Sequence, residues 1–236
     1  VNAARCTPLL IDRFSPSAIV NTGIAGGLAP GLSVGDVVVA TGVLQHDFDV
    51  TAFGHAKGYL CTGGDDTAAT VFPADEALSG CFAAAAQAIL GEGHVHRGLI
   101  ATGDQFISSE SYVKELQTKF DALACEMEGA SVARVADEFH VPCAILRCMS
   151  DKADGIAHDT YAFNYTEASN TSASVVKEML NTIAKDRVAL PAAKDVATKD
   201  TTPRTAIISA MSVELKALVD AADIQKETVI GSKTYY

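Results

Sequence analysis

Short apolar, β-branched runs alternate along this chain with longer stretches of helical spacing, and that alternation constrains the fold more than any single motif. Residues 18–21, 36–41, 98–102, 123–126, 143–148 and 205–209 read as buried strands. Helical spacing is expected over 74–90, 109–120, 127–139 and 171–184, the first with Asp75 near its start and Gly91 just past its end. Buried strands alternating with helices imply an α/β fold whose sheet is substantially parallel. The 236 residues suffice for one such domain with a full central sheet. Ligands of α/β sheets bind at the carboxyl ends of strands. The residues that follow each apolar run therefore carry most of the functional information.

Composition narrows the partners. Lys and Arg number 18 against 29 Asp and Glu, a net charge of −11, which argues against a nucleic-acid or anionic-membrane partner held by a general field. A local site could still take an anion. No apolar run approaches the roughly 18 residues of a membrane span and no signal peptide is visible, so a cytoplasmic protein is expected. The six cysteines, at 6, 61, 81, 125, 143 and 148, form no CxxC pair and read as reduced core residues. The six histidines show no ligand spacing, so no metal is expected. The chain opens on Val1 rather than Met, and its first residue is not read as a native translation start.

Several strand ends carry chemistry. "NTGIAGGLAPGLSVGDVVV" (21–39) places Gly23, Gly26 and Gly27 where a tight turn lets the backbone approach a ligand, although neither GxGxxG nor a P-loop is present. In "TGDQFISS" (102–109), Phe106 could stack on a flat heterocycle or pack in the core, and Asp104 suits a cap. "CEMEGASVARVADEF" (125–139) sets Glu126 and Glu128 two apart at a strand-to-helix junction, where a carboxylate either favours the helix dipole or accepts hydrogen bonds from vicinal hydroxyls. "AILRCMSDKAD" (144–154) puts Arg147 inside an apolar strand, where it needs a carboxylate partner, and ends on Ser150–Asp151. Asp151 is either a turn cap or a general acid whose pKa would have to be raised by burial or a neighbouring acid. Acids, a Phe and Gly-rich backbone at one sheet edge, without a metal set, suit carboxylate-driven cleavage of a bond to a sugar.

The C-terminal part breaks the pattern. Residues 185–204 are polar, rich in Ala, Lys and Asp, and read as a linker. "TPRTAIISAMSVELKALV" (202–219) then begins a strand, small residues and a helix whose first turn carries Glu214. By pattern alone that acid is unremarkable.

Taken together, "NTGIAGGLAPGLSVGDVVVA", "HDFDVTAFGH", "TGDQFI", "CEMEGAS", "RCMSDKAD" and "IISAMSVEL" resemble the nucleoside phosphorylase/hydrolase superfamily, and within it the 5′-methylthioadenosine/S-adenosylhomocysteine nucleosidase family. The resemblance implies a three-layer α/β sandwich with a central twisted mixed sheet flanked by helices. It spans one nucleosidase domain, residues 1–236, in circularly permuted order. Residues 1–184 match the family's middle and C-terminal part, 185–204 form the linker, and 205–236 match its N-terminal part. One family strand and a Ser-Gly-Ile-Gly loop, which would join the segment like "GSKTYY" to that like "VNAARCTPLLIDRF", are absent from this order.

The resemblance also implies roles. Asp151 would protonate N7 of a purine leaving group, supported by Ser150, and Glu214 would take a proton from the attacking water. Glu128, assisted by Met127, would hold the ribose hydroxyls. Phe106 would stack on adenine while the Ile107 backbone bonds to it. Met211 and Ala210 would line the sugar side, and Phe53 would close the alkylthio site of a neighbouring subunit in a homodimer. Arg147 and Glu126 would orient the acids. No cofactor is implied. The expected reaction is hydrolysis of methylthioadenosine and S-adenosylhomocysteine. Its alternatives are a phosphorolytic relative, which a carboxylate at 214 disfavours by repelling phosphate, an aminodeoxyfutalosine hydrolase, and a nucleoside-binding module without catalysis.

Overall fold

The computed structural model describes residues 2–154, 156–186, 205–209, 212–221, 228–230 and 233–235. The elements run α1 (Asn2–Phe14), β1 (Ala18–Gly27), β2 (Val37–Gln45), β3 (Val71–Pro73), α2 (Glu76–Leu90), β4 (Val95–Thr102), α3 (Glu110–Phe120), β5 (Ala122–Glu126), α4 (Gly129–Glu138), β6 (Cys143–Asp151), α5 (Ala157–Asp186), β7 (Thr205–Ser209), α6 (Ser212–Ala221), β8 (Thr228–Ile230) and β9 (Lys233–Tyr235). The linker reading at 187–204 and the residues Ala210 and Met211 lie outside the described residues.

β1 and β6 form the centre. All nine residues of β6 are buried and nine of ten in β1, because both faces of these strands are covered by helices. On one face, Leu78 and Phe82 of α2 and Val175, Val176 and Met179 of α5 pack on Val37, Val39, Leu146 and Cys148. On the other, Leu10 and Ile11 of α1 and Val132, Ala133 and Ala136 of α4 meet Ile19, Val38 and Ile145. A third cluster seats Leu116 and Phe120 of α3 against Leu44 and Ala101. This is the expected helix–sheet–helix arrangement.

The sheet is more mixed than strand–helix alternation suggests. β1–β6, β1–β7, β2–β4 and β4–β5 are parallel, while β1–β5, β2–β3 and β2–β6 are antiparallel. Because β2 pairs with β4 on one side and with β6 on the other, the path β2-β4-β5-β1-β6 closes on itself. Closure brings the ends of β1, β4, β5 and β6 around one mouth.

Local chemistry sets the boundaries. Asp75 caps α2 by accepting Leu78 N–H at 2.9 Å, and Gly91 ends that helix at φ 85°. α5 begins at Ala157 rather than near Thr171, so the polar stretch 157–170 is helical although its Thr, Ser and Asn residues are weak helix formers. Burial of Ala168, Ser169 and Ser172 in the tertiary structure overrides that preference.

β7 adds to β1 on the side opposite β6 in parallel register, Ala18 opposite Thr205 through Thr22 opposite Ser209. β8 and β9 form a separate antiparallel pair. Among the described residues no helix is long and apolar enough to cross a membrane.

Candidate active site

The mouth of the closed sheet holds a cavity of about 290 Å³. Gly23–Gly26 of β1, the turn after β4, Cys125 to Glu128 at the end of β5, Arg147, Ser150 and Asp151 of β6, and His158 and Tyr161 of α5 line it. Phe106, Ile107, Glu126, Met127, Glu128, Arg147, Ser150 and Asp151, all singled out from the sequence, therefore meet there beside Gly23 and Gly26.

Asp151 sits at a bulge. Ala25 pairs with Met149 and Gly26 with Asp151, so Ser150 has no register partner on β1 and the strand turns the carboxylate into the cavity. Ala153 N–H donates to Oδ1 at 2.8 Å and the Ser150 hydroxyl to Oδ2 at 2.9 Å. Burial raises the Asp151 pKa above its ordinary 3.8, and nearby Asp154 adds to the rise, while the two hydrogen bonds oppose it. The shift has the direction that a general acid needs. Gly26 is part of this arrangement: a Cβ there would lie 2.9 Å from Asp151 Oδ1 and 3.0 Å from the Ala153 Cβ.

The two carboxylates of "EME" separate by environment. Glu126 turns inward, where it accepts the N–H groups of Glu128 (2.9 Å) and Gly129 (2.8 Å) at the start of α4, the Thr102 hydroxyl, and Arg147 Nη2 at 2.5 Å. It satisfies the helix terminus and pairs the buried guanidinium. Glu128 is left facing the cavity, its side chain 30% exposed and 3.9 Å from the same Arg147 Nη2. One inward and one outward carboxylate follow from the bend between β5 and α4.

Apolar groups complete the wall. Phe106 and Met127 are 48% and 40% exposed, whereas Ile107 is buried. Phe106 meets Tyr161 edge-on, ring centroids 5.7 Å apart, and Tyr161 stacks on Tyr165 at 5.8 Å. Large apolar side chains left open around a cavity suit a flat apolar ligand. His158 and Tyr161 had no signal in the sequence, because they stand in the stretch whose helix was not expected.

Phe53 does not line the cavity; it stands 80% exposed in a short 3-10 turn, Thr51–Phe53. Glu214 falls in the first turn of α6, but its side chain, like Ala210 and Met211, lies outside what is described. Among the described residues no group of three or more His, Cys, Asp or Glu is placed to hold a metal.

Comparison with known proteins bears on this geometry. Residues 1–181 match the family model described as the phosphorylase superfamily. The chain is 39% identical over 186 residues to a 5′-methylthioadenosine/S-adenosylhomocysteine nucleosidase of Anoxybacillus flavithermus, covering 78% of each chain. It is 38% identical over 179 residues to an aminodeoxyfutalosine nucleosidase of Campylobacter jejuni, covering 76% of this chain and 75% of that one. In structure it resembles the Neisseria meningitidis methylthioadenosine/S-adenosylhomocysteine nucleosidase in complex with methylthio-immucillin-A. The TM-score there is 0.71 and the identity 37%, over 77% of this chain and 76% of that chain. With a family match over residues 1–181 and more than a third of its residues identical to relatives over most of both chains, the chain belongs to the phosphorylase superfamily.

Proposed function

We propose that this protein hydrolyses the N-glycosidic bond of 5′-methylthioadenosine and S-adenosylhomocysteine, releasing adenine and the thioribose product. The observation that carries the reading is the convergence on one cavity of a buried acid with a raised pKa, Asp151, and an outward carboxylate, Glu128, beside an aromatic wall. The relatives that bear this activity in their names support it.

The chemistry follows from what leaves. Adenine departs poorly as an anion, so a proton delivered to a ring nitrogen is needed, and a carboxyl whose pKa burial raises suits that delivery. Ser150 holds that carboxyl in place. As the bond breaks, positive charge develops on the sugar, and carboxylates around it stabilise that charge. Glu128 bonds the ribose hydroxyls, its backbone fixed by Glu126 and its side chain near Arg147. Phe106 stacks on the base, the Ile107 backbone bonds it, and Met127 lies along the sugar. The reading gives water activation to Glu214 of α6 and substrate binding to Met211 and Ala210.

The same reading treats residues 1–236 as a single nucleosidase domain in permuted order, with 205–236 in the role of the family's N-terminal part. Parallel pairing of β7 on β1, and a family match that ends at residue 181, support it. It further takes the protein as a cytoplasmic homodimer in which Phe53 reaches the neighbouring cavity, supported by the exposure of that ring. An aminodeoxyfutalosine substrate is the second reading, favoured by the comparable identity to a nucleosidase of that name.

The test is adenine release from methylthioadenosine, with and without phosphate, for the protein and for Asp151→Asn. Phosphate-independent turnover, lowered roughly 10²–10⁴-fold in the variant, is expected. Phosphate-dependent turnover would refute hydrolysis, and faster turnover of aminodeoxyfutalosine would move the assignment to the second reading.

A further inference from the structure

The cavity's ion pair does not end at Arg147. Arg147 Nη2 also donates to Asn21 Oδ1 at 2.7 Å, and Asn21 Nδ2 donates to the carbonyl of Ile208 in β7 at 2.9 Å. The orientation of this amide is fixed by its partners, because a guanidinium only donates and a carbonyl only accepts. Asn21 is wholly buried in the middle of β1, opposite Ile145 on one side and Ile208 on the other. A continuous chain of hydrogen bonds therefore runs from Ile208 through Asn21, Arg147 and Glu126 to the N–H groups of Glu128 and Gly129.

We propose that Asn21 is a positioning residue that uses both halves of its amide to register the C-terminal strand β7, and with it the start of α6, against the carboxylate network of the cavity. The need for such a device comes from topology. β7 has five residues and pairs, among the described residues, with β1 alone. A strand with one partner is held by few backbone bonds and is free to slip in register. Ser212, where α6 begins, follows Ile208 by four residues. Any slip of β7 therefore moves that helix start relative to Asp151 and Glu128. A side-chain bond to one particular carbonyl opposes a slip, because a one-residue shift would remove the acceptor and strand a buried donor. The proposal rests on the nucleosidase reading only for its kinetic consequences.

The experiment compares Asn21→Asp and Asn21→Ser with the unmodified chain. Asp keeps an acceptor for Arg147 but loses the donor and turns a carboxylate toward the Ile208 carbonyl. Ser loses the reach to both. Amide hydrogen exchange is followed separately for 205–209 and for β6, alongside kcat and KM for adenine release from methylthioadenosine.

In Asn21→Asp, exchange at 205–209 should quicken at least tenfold while β6 stays protected, and kcat should fall roughly 10–100-fold with KM within about threefold, the scale expected of a misplaced catalytic element. In Asn21→Ser, KM should rise as well, because Arg147 loses a partner beside Glu128. Exchange that quickens equally in β6 and β7 with kcat unchanged, or unaltered protection of β7, would overturn the coupling. If Asn21→Asp does not fold, Asn21→Ser decides by the same contrasts. If the unmodified chain releases no adenine, the nucleosidase reading fails, and the contrast in exchange between β7 and β6 decides the proposal by itself.

Discussion

Replacing Gly26 by Ala tests whether the position of Asp151 limits the reaction. The added Cβ would stand 2.9 Å from Asp151 Oδ1, 3.0 Å from the Ala153 Cβ and 3.4 Å from Ala153 N. The methyl cannot escape, since Gly26 is buried between β5 and β6 with Cys125 and Asp151 as its register partners. Relief to an ordinary 3.4 Å contact requires the carboxylate oxygen to move by roughly 0.5 Å, against its bond to Ala153 N–H and the Ser150 hydroxyl. A 1 Å misplacement of a catalytic group can lower a rate about 10²-fold, so half that displacement should lower kcat about tenfold. Overpacking of this kind destabilises by about 1–3 kcal/mol, and each kcal/mol lowers Tm by about 2–4 °C in a chain this size. The assay is adenine release from methylthioadenosine at 25 °C, below the melting transition, with Tm measured in parallel. Turnover within twofold of the unmodified protein, together with an unchanged Tm, would refute the argument that Gly26 is required for the approach of Asp151.

Three further outcomes follow from the same structure. Asp151 has a raised pKa in the fold, so the stability its neutral form contributes is present below its ordinary 3.8 and is lost as pH rises through the folded value. Asp151→Asn should therefore raise Tm at pH 7 while lowering kcat, and the Tm difference should shrink on acidification; an unchanged difference would contradict the burial argument. His46 is buried and its pKa is depressed below 6.5, chiefly by desolvation. The sign is opposite: its contribution is present above 6.5 and is lost as pH falls through the lower folded value, so His46→Gln should flatten the stability–pH profile below about pH 6.5 in chemical denaturation. Gly103→Ala would drive a Cβ into His46 Nε2, in a ring already held by the Tyr112 hydroxyl at 3.2 Å. The turn that carries Phe106 must shift, and KM for methylthioadenosine should rise severalfold; an unaltered KM would show that Phe106 does not bind the base.

Much of this site was legible in the residues. Arg147 within an apolar strand announced a buried partner, and the structure supplies Glu126 at 2.5 Å. The Ser150–Asp151 pair and the "EME" motif were found as strand-end chemistry, and both line the cavity. Spacing could not tell Glu126 from Glu128, since two acids two residues apart are equivalent until the chain bends. The bend made Glu126 a helix cap and left Glu128 open. His158 and Tyr161 escaped notice because Thr, Ser and Asn weaken the helical signal across 157–170, while burial of Ser169 and Ser172 makes that stretch helical nonetheless. Asn21 escaped for a different reason: one amide in an apolar strand has no pattern.

By itself, then, the sequence determined the local elements and the set of chemical groups, because apolar periodicity, Asp75 and Gly91 as caps, and glycines beside acids act over a few residues. The tertiary structure decided what those groups do. Antiparallel pairing of β2 with β6 closed the sheet, and that closure gathered strand ends from residues 23 to 151 around one cavity. It decided that burial raises the Asp151 pKa, since desolvation depends on atoms distant in sequence. It also decided that β7, far along the chain, lies beside β1 with Asn21 between its Ile208 carbonyl and Arg147. Pairing register and burial are properties of the whole packed molecule, and no window along the chain contains them.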